Sequence, residues 1–188
     1  SLFYVKDFDQ IELIGATLDD ACGEAFDKVA KILGLGYPGG PIIERLAKKG
    51  KPRIKFGCSV ANKPLDFSFS GIKTAVMYYA RSHISRDATE KANIAASFQE
   101  AVIDTLIKKS LLACKIKKTK RLVIGGGVAV NNRLRDKFSE AVTYSNLEVY
   151  FPDKKLCMDN AVMVAGLGYH LFREGCQTNL DATPYPVY

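Results

Sequence analysis

The chain has 188 residues, of which 47% are hydrophobic and 25% charged, and its formal net charge at pH 7 is +7. This is an ordinary composition for a globular protein, with room for one good-sized domain or part of a larger enzyme. No apolar run approaches the roughly 20 residues that a membrane-spanning helix needs. We expect no signal peptide, because no basic region precedes the first strand-like stretch. The chain opens without Met inside a strand-like stretch, so we expect a fragment of a longer protein.

Two short strands, residues 2–5 and 11–14, are predicted to form a hairpin around a polar turn. Thr17 is predicted to cap the helix that follows, because acids occupy its first turn, and Gly34 to end it. Helical periodicity then predicts helices over residues 42–49, 71–83 and 89–112, with an irregular stretch at 54–70.

The pattern changes after residue 120. A buried strand at 121–124 leads into three glycines, and a helix at 132–141, a strand at 148–151 and a helix at 160–172 follow. The chain is therefore predicted to be an α/β protein with a helical insertion. The predicted divisions are a hairpin and first helix (1–38), the insertion (39–120), a strand–glycine–helix part (121–176) and a tail (177–188).

The cysteines and histidines favour no metal or disulfide framework. No Cys-x-x-Cys pair occurs, and His83 and His170 are isolated, so neither a zinc ribbon nor a Ser-His-Asp site is favoured. We expect buried, reduced thiols and a cytoplasmic location. The five cysteines are Cys22, Cys58, Cys114, Cys157 and Cys176.

Charge is unevenly distributed along the chain. Acids dominate residues 1–30, whereas bases dominate residues 31–60 and a second cluster at 108–121. Basic clusters attract phosphate backbones, so they permit a nucleic-acid partner; the alternative is a solvated surface.

Gly125, Gly126 and Gly127 connect the predicted strand to the predicted helix. Bare glycine lets a ligand approach the main chain, and a helix amino-terminus offers N–H groups to an anion. The run is not Gly-x-Gly-x-x-Gly, and no Gly-Lys-Ser/Thr follows, so dinucleotide and P-loop sites are weakly supported. A tight connection without a ligand is the alternative.

Two further acidic features stand out. Asp20, Glu24 and Asp27 are predicted to share one helix face, either opposite a cationic or hydroxyl-bearing group or as a solvated stripe paired with Lys28 and Lys31. Asp159 begins the last predicted helix, where an Asp is usually an N-cap; it could also bind a metal, although one carboxylate cannot build a site.

Five motifs occur in order along the chain and together resemble one family. The chain is similar to the bacterial tRNA N6-adenosine threonylcarbamoyltransferases, formerly labelled O-sialoglycoprotein endopeptidases, over about residues 1–175. The motifs are Asp-Asp-Ala-Cys-Gly-Glu-Ala-Phe-Asp-Lys (19–28), Tyr-Pro-Gly-Gly-Pro (37–41), Asp-Phe-Ser-Phe-Ser-Gly-Ile-Lys-Thr (66–74), Gly-Gly-Val-Ala-Val-Asn (126–131) and Cys-Met-Asp-Asn-Ala (157–161).

The resemblance implies an actin-like, sugar-kinase-like ATPase fold of two lobes, of which this chain is the carboxy-terminal lobe without the amino-terminal one. It implies that Asp27 binds the ribose hydroxyls and that Gly40 lines the nucleotide. Gly126, Gly127 and Asn131 are expected to contact the adenosine part.

By the same resemblance, Asp159 is one ligand of a divalent metal, iron or alternatively zinc. The family's other ligands come from a His-x-x-x-His motif that does not occur here. A Ser-Gly-Gly-His loop on the phosphate side is also absent. The resemblance therefore implies that this part alone is inactive.

The implied reaction transfers threonylcarbamoyl from threonylcarbamoyl-AMP to N6 of the adenosine next to the tRNA anticodon. Expected partners are tRNA, that nucleotide or an ATP-like one, a paralogous scaffold subunit and a small ATPase, with no membrane. The basic clusters become candidate tRNA contacts. The alternatives are a non-catalytic scaffold paralogue, a glycoprotease or metallohydrolase, and an ATP-dependent kinase of the same fold.

Overall fold

The chain begins with the predicted hairpin, in a computed structural model that describes residues 1–58, 63–83 and 88–179. Strands β1 (Leu2–Asp7) and β2 (Gln10–Gly15) pair antiparallel, with Tyr4 opposite Glu12. Both strands are longer than predicted because the polar residues next to the turn also pair. The predicted tail at 177–188 lies outside the described residues from position 180 onward.

Four helices follow the hairpin and enclose the main core. They pack around apolar side chains from α1 and α4, where the rings of Phe26 and Phe98 meet edge to face at 5.0 Å. The long fourth helix buries every residue from 92 to 99, so it is the central support of the fold. The helices are α1 (Cys22–Ile32), α2 (Gly39–Ala47), α3 (Ser70–His83) and α4 (Ala88–Lys117).

A second, smaller core lies where the carboxy-terminal elements meet α4. Strands β3 (Arg121–Val123) and β4 (Glu148–Tyr150) pair in parallel, and α5 (Asn132–Val142) connects them. The buried residues of this second core are Ile103, Leu134 and Phe138. Arg133 Nε donates to Glu100 at 2.7 Å, which ties α5 to α4 at a half-buried position.

The last helix, α6 (Ala161–Arg173), buries none of its residues within the described chain. The described residues also include two short 3-10 helices, Gly127–Val130 before α5 and Lys154–Leu156 before α6. None of the helices described is both long and apolar enough to span a membrane.

The prediction that Thr17 caps the first helix was wrong. The segment before the helix instead forms a β-bridge with Phe67. The N–H of Phe67 donates to the carbonyl of Ala16 at 2.8 Å, and the carbonyl of Phe67 accepts from the N–H of Leu18 at 2.9 Å. The helix can begin only after this bridge, so the N-cap position falls to Ala21. Thr17 Oγ1 instead donates to the carbonyl of Asp20.

The five cysteines are free, as predicted, but they are not uniformly buried. Cys114 and Cys157 are buried and Cys176 is exposed. Cys22 as a whole residue is half-buried. Burial of its thiol group raises the pKa of that thiol to about 12, so the thiolate is disfavoured at neutral pH.

Candidate functional site

Three segments of the chain, together with Met158, line one cleft of about 430 Å³. Its walls come from α1, from the turn and first half of α2, and from the glycine-rich connection before α5. This volume and its largely apolar lining with few polar groups are typical of small-ligand sites. Among the lining residues are Phe26, Asp27, Gly40, Glu44, Gly127 and Asn131.

Asp27 is held in the cleft by a main-chain contact. Its Oδ1 accepts a hydrogen bond from the N–H of Gly39 at 2.7 Å, at the first residue of α2. Within the described parts of the chain, no donor reaches Oδ2. A half-buried carboxylate with one oxygen fixed and the other open can accept hydrogen bonds from ligand hydroxyl groups.

The two glycines at the start of α2 have different surroundings. A Cβ on Gly39 would overlap the main chain of Phe26 and Asp27 and the methyl group of Ala30, so only glycine lets α2 approach α1 this closely. A Cβ on Gly40 would meet no atom within 4 Å, because this residue faces the open cleft.

The glycine run turns sharply but does not enter α5 directly. Gly126 has φ +88°, and the 3-10 helix Gly127–Val130 intervenes before Asn131. Gly127 lines the cleft, whereas Gly126 lines an adjoining cavity of about 340 Å³ that also contains Gly127 and Val128. Four of the five residues predicted to contact the nucleotide therefore share one cleft, and the fifth lies next to it.

Asn131 is buried and has a structural role of its own. Its Oδ1 accepts from Leu134 N at 3.0 Å, which makes it the N-cap of α5, and its Nδ2 donates to Gln99 at 2.9 Å. The expectation that the helix amino-terminus offers free N–H groups was wrong for two of them. Leu134 N bonds Asn131, and Asn132 N donates to Glu44 at 3.1 Å.

Glu44 is a cleft residue that the sequence analysis missed. Its Oε1 accepts from both the N–H and the side-chain amide of Asn132, at 3.1 and 2.6 Å, so α2 is fixed to the start of α5. The signal that could have found it is helical spacing, since Glu44 lies one turn after Gly40 on α2.

The predicted acidic face of the first helix does not form as a stack of three. Asp20 precedes α1, and Lys28 Nζ pairs with it at 2.6 Å and with Glu24 at 2.8 Å. The paired-stripe interpretation therefore holds for Asp20 and Glu24 with Lys28; Lys31 forms no ion pair with any described residue. Asp27 faces the cleft instead.

Asp159 is exposed and does not cap the last helix, contrary to prediction. Asn160 is the N-cap, and its Oδ1 accepts from Met163 N at 3.0 Å. Met158 lines the cleft, so Asp159 follows a cleft residue directly. No group of three potential metal ligands occurs among the described residues, so Asp159 does not by itself provide a metal site.

The motif at 66–74 is fixed to the segment before α1 through Asp19. Asp19 accepts hydrogen bonds from Ser68 Oγ at 2.5 Å, from Phe69 N at 2.7 Å and from both the N–H and the hydroxyl of Ser70. Burial acts to raise the pKa of this carboxyl, but these hydrogen bonds outweigh it and lower the pKa from 3.8 to about 2. Asp19 therefore clamps the amino-terminus of α3 to the segment before α1.

The sequence matches one protein family over most of its length. The profile described as tRNA N6-adenosine threonylcarbamoyltransferase matches residues 1–166. Proteins with that name are similar in Dictyoglomus turgidum (45% identity over 184 residues), Sulfurihydrogenibium sp. (47% over 184) and Clostridium kluyveri (42% over 189). The matches cover 97%, 96% and 98% of this chain but 55%, 52% and 55% of those proteins. The chain thus spans about half the length of these relatives.

Solved structures share the fold at low sequence identity. The T. kodakarensis HypF structure superimposes with a TM-score of 0.65 and 22% identity, covering 84% of this chain and 20% of that one. A full-length HypF in its phosphate- and nucleotide-bound form also gives 0.65, with 18% identity and coverages of 84% and 21%. The likeness concerns the α/β fold.

Proposed function

The chain belongs to the tRNA N6-adenosine threonylcarbamoyltransferase family, and we propose that its full-length protein forms N6-threonylcarbamoyladenosine in tRNA. In this reaction N6 of the adenosine next to the anticodon attacks the carbonyl carbon of threonylcarbamoyl-AMP. The new C–N bond forms as the bond to AMP breaks, and the amine loses a proton. The observation that carries the proposal is the convergence of Asp27, Gly40, Gly127 and Asn131 on one cleft.

The cleft is proposed as the site of the nucleotide part. The open oxygen of Asp27 would accept from the ribose hydroxyls, while the bare main chain of Gly40 and Gly127 would allow the flat purine to lie close. Asn131 would act as a wall whose position is set by its cap and by Gln99. Gly126 would contact the nucleotide from the adjoining cavity. Glu44 supplies a second carboxylate in the lining of the same cleft.

Asp159 is proposed as one ligand of a divalent metal, iron or alternatively zinc. The described residues do not complete such a site. The remaining ligands would belong to the half of the relatives' length that this chain does not span. When bound, the metal would polarise the carbonyl group or orient the threonylcarbamoyl donor.

The larger assembly is also part of the proposal. We infer a two-lobed, actin-like and sugar-kinase-like enzyme in which this chain is the carboxy-terminal lobe, with residues 39–120 as a helical insertion. Its partners would be tRNA, a paralogous scaffold subunit and a small ATPase, and its location the cytoplasm. Retention of a built cleft around Asp27 argues against a non-catalytic scaffold paralogue.

A transfer assay with the full-length protein, unmodified tRNA and threonylcarbamoyl-AMP tests this function. We expect N6-threonylcarbamoyladenosine in the digested tRNA and release of AMP. Titration with ATP in parallel separates transfer from kinase activity, and a sialoglycoprotein substrate tests the glycoprotease alternative. Peptide cleavage or ATP-dependent phosphorylation, without modified adenosine, would contradict the proposal.

A further inference from the structure

We propose that residues 48–58, here named the cationic strap, bind the phosphate backbone of the RNA substrate. The strap follows α2 directly and presents exposed cations in the order Lys48, Lys49, Lys51, Arg53 and Lys55. This inference rests on the proposed function, because it takes tRNA as the polyanion, and it assigns the surface that holds it.

The strap is fixed along one stripe of α4. Lys51 N donates to Asn93 Oδ1 at 2.8 Å, Ile54 N donates to Ser97 Oγ at 3.1 Å, and the Cys58 thiol lies 3.8 Å from the carbonyl of Ala101. These α4 positions are four residues apart, so they lie on one helix face. Both Asn93 and Ser97 are buried, which makes them rigid anchors.

The contact is close because the third residue of the strap is a glycine, Gly50. A Cβ on Gly50 would overlap the main chain of Ala92. Beyond it, the side chains of Ile54, Phe56 and Cys58 pack against the main core, while Arg53 and Lys55, on either side of Ile54, remain exposed. The main chain of the strap is therefore anchored on one side, while its cationic side chains are exposed on the other. Because that main chain is already ordered, little conformational entropy is lost when the cations bind a phosphate backbone.

Among the described residues, four of the five strap cations have no acidic partner, whereas one lysine of the second basic cluster is paired with an acid. In the part of the chain that the structure describes, Lys49, Lys51, Arg53 and Lys55 form no ion pair. Lys48 has only a long one, 3.9 Å from Glu44. The second cluster is partly committed to the fold, since Lys117 pairs with Glu12 at 2.7 Å and Lys109 donates to Pro64 O at 3.0 Å.

Position also favours the strap. Gly40 and Glu44 of α2 line the cleft, and the strap begins directly after this helix. At 1.5 Å per residue, Lys48 lies about 12 Å along the helix from Gly40 and about 6 Å from Glu44. A polynucleotide whose base reaches the cleft could therefore place neighbouring phosphates on the strap.

The test is the salt dependence of tRNA binding by the full-length protein. Neutralising Lys49, Lys51, Arg53 and Lys55 to Gln should lower the slope of log K against log salt by about 3, since each lost phosphate contact removes 0.7–0.9. The matched control neutralises four exposed lysines of the second cluster, Lys108, Lys115, Lys118 and Lys120, and should change the slope by less than 1. Equal slopes for the strap variant and the wild type would overturn the inference.

A second variant tests the anchoring without changing the charge. Ser97→Ala removes the acceptor of Ile54 N and should weaken tRNA binding several-fold, with unchanged affinity for threonylcarbamoyl-AMP. Unchanged tRNA affinity would contradict the role of the anchor. Failure of the strap is distinguishable from failure of the proposed function, because transfer by the wild-type protein reports only on the function and the slope only on the strap.

Discussion

Asp27 Oδ1 and Gly39 N, twelve residues apart in the chain, are joined by a 2.7 Å hydrogen bond that couples α1 to the first turn of α2. This bond orients the carboxylate and satisfies an N–H group that a helix start leaves without a partner. Because one oxygen is used in this way, the other is available to a ligand. The same residue thus serves both the fold and the cleft.

Asp27→Ala in the full-length protein should weaken nucleotide binding by about 1.5–3 kcal/mol, the usual contribution of a hydrogen bond to a charged group. Isothermal calorimetry with threonylcarbamoyl-AMP or an ATP analogue measures this. The matched control is Glu24→Ala on the same helix, where the carboxylate is exposed and pairs with Lys28 outside the cleft. Equal affinities for the two variants would exclude Asp27 as a nucleotide ligand.

The neighbouring glycines Gly39 and Gly40 should respond differently to a methyl group. Gly39→Ala forces α2 away from α1 and should destabilise the protein by about 1–3 kcal/mol, as overpacking usually does. Gly40→Ala meets no protein atom, so the melting temperature should stay close to that of the wild type. Its methyl group enters the cleft, however, and should lower nucleotide affinity. Loss of stability in Gly40→Ala with intact binding would contradict this assignment.

Asp159 and Asn160 separate metal binding from helix capping. Asn160→Ala should destabilise α6 by about 1 kcal/mol, because it removes the acceptor of Met163 N. Asp159→Asn should leave that stability unchanged and reduce the metal content of the full-length enzyme. Hydrogen exchange of α6 and metal analysis measure the two effects. Full metal retention in Asp159→Asn would show that this carboxylate is not a ligand.

Asp19 should make the stability of the protein depend on acid pH. The pKa of Asp19 is lower in the folded state, about 2 against an ordinary 3.8. The contribution of this carboxylate to the free energy of unfolding is therefore complete above pH 4 and is lost as the pH falls towards 2. Asp19→Asn should unfold at lower temperature than the wild type at pH 6, and the difference should narrow towards pH 2. Thermal melts across this range measure it. A constant difference would indicate that the carboxylate charge is not involved.

The elements could be predicted because their signals are local. Two short strand-like runs around a polar turn predicted the hairpin, helical spacing predicted α3 and α5, and Gly34, with φ +69°, ends α1 as expected. The cap positions could not be predicted from local preference. Thr17 lost its cap to the bridge with Phe67, fifty residues away, and Asn160 rather than Asp159 caps α6.

The sequence by itself determined the α/β class, the order of the elements and, through five motifs read together, the family. All of these depend on residue types at fixed spacing along the chain. Only the tertiary structure decided that α1, α2 and the segment before α5 share a cleft and that Glu44 belongs to it. It also decided that Lys28 pairs with Asp20 rather than with Asp27. The tertiary structure also distinguished the strap cations, most of which form no ion pair among the described residues, from Lys117, which is paired with Glu12. Hydrogen bonds and ion pairs between distant segments depend on how the helices pack, and no local pattern contains that information.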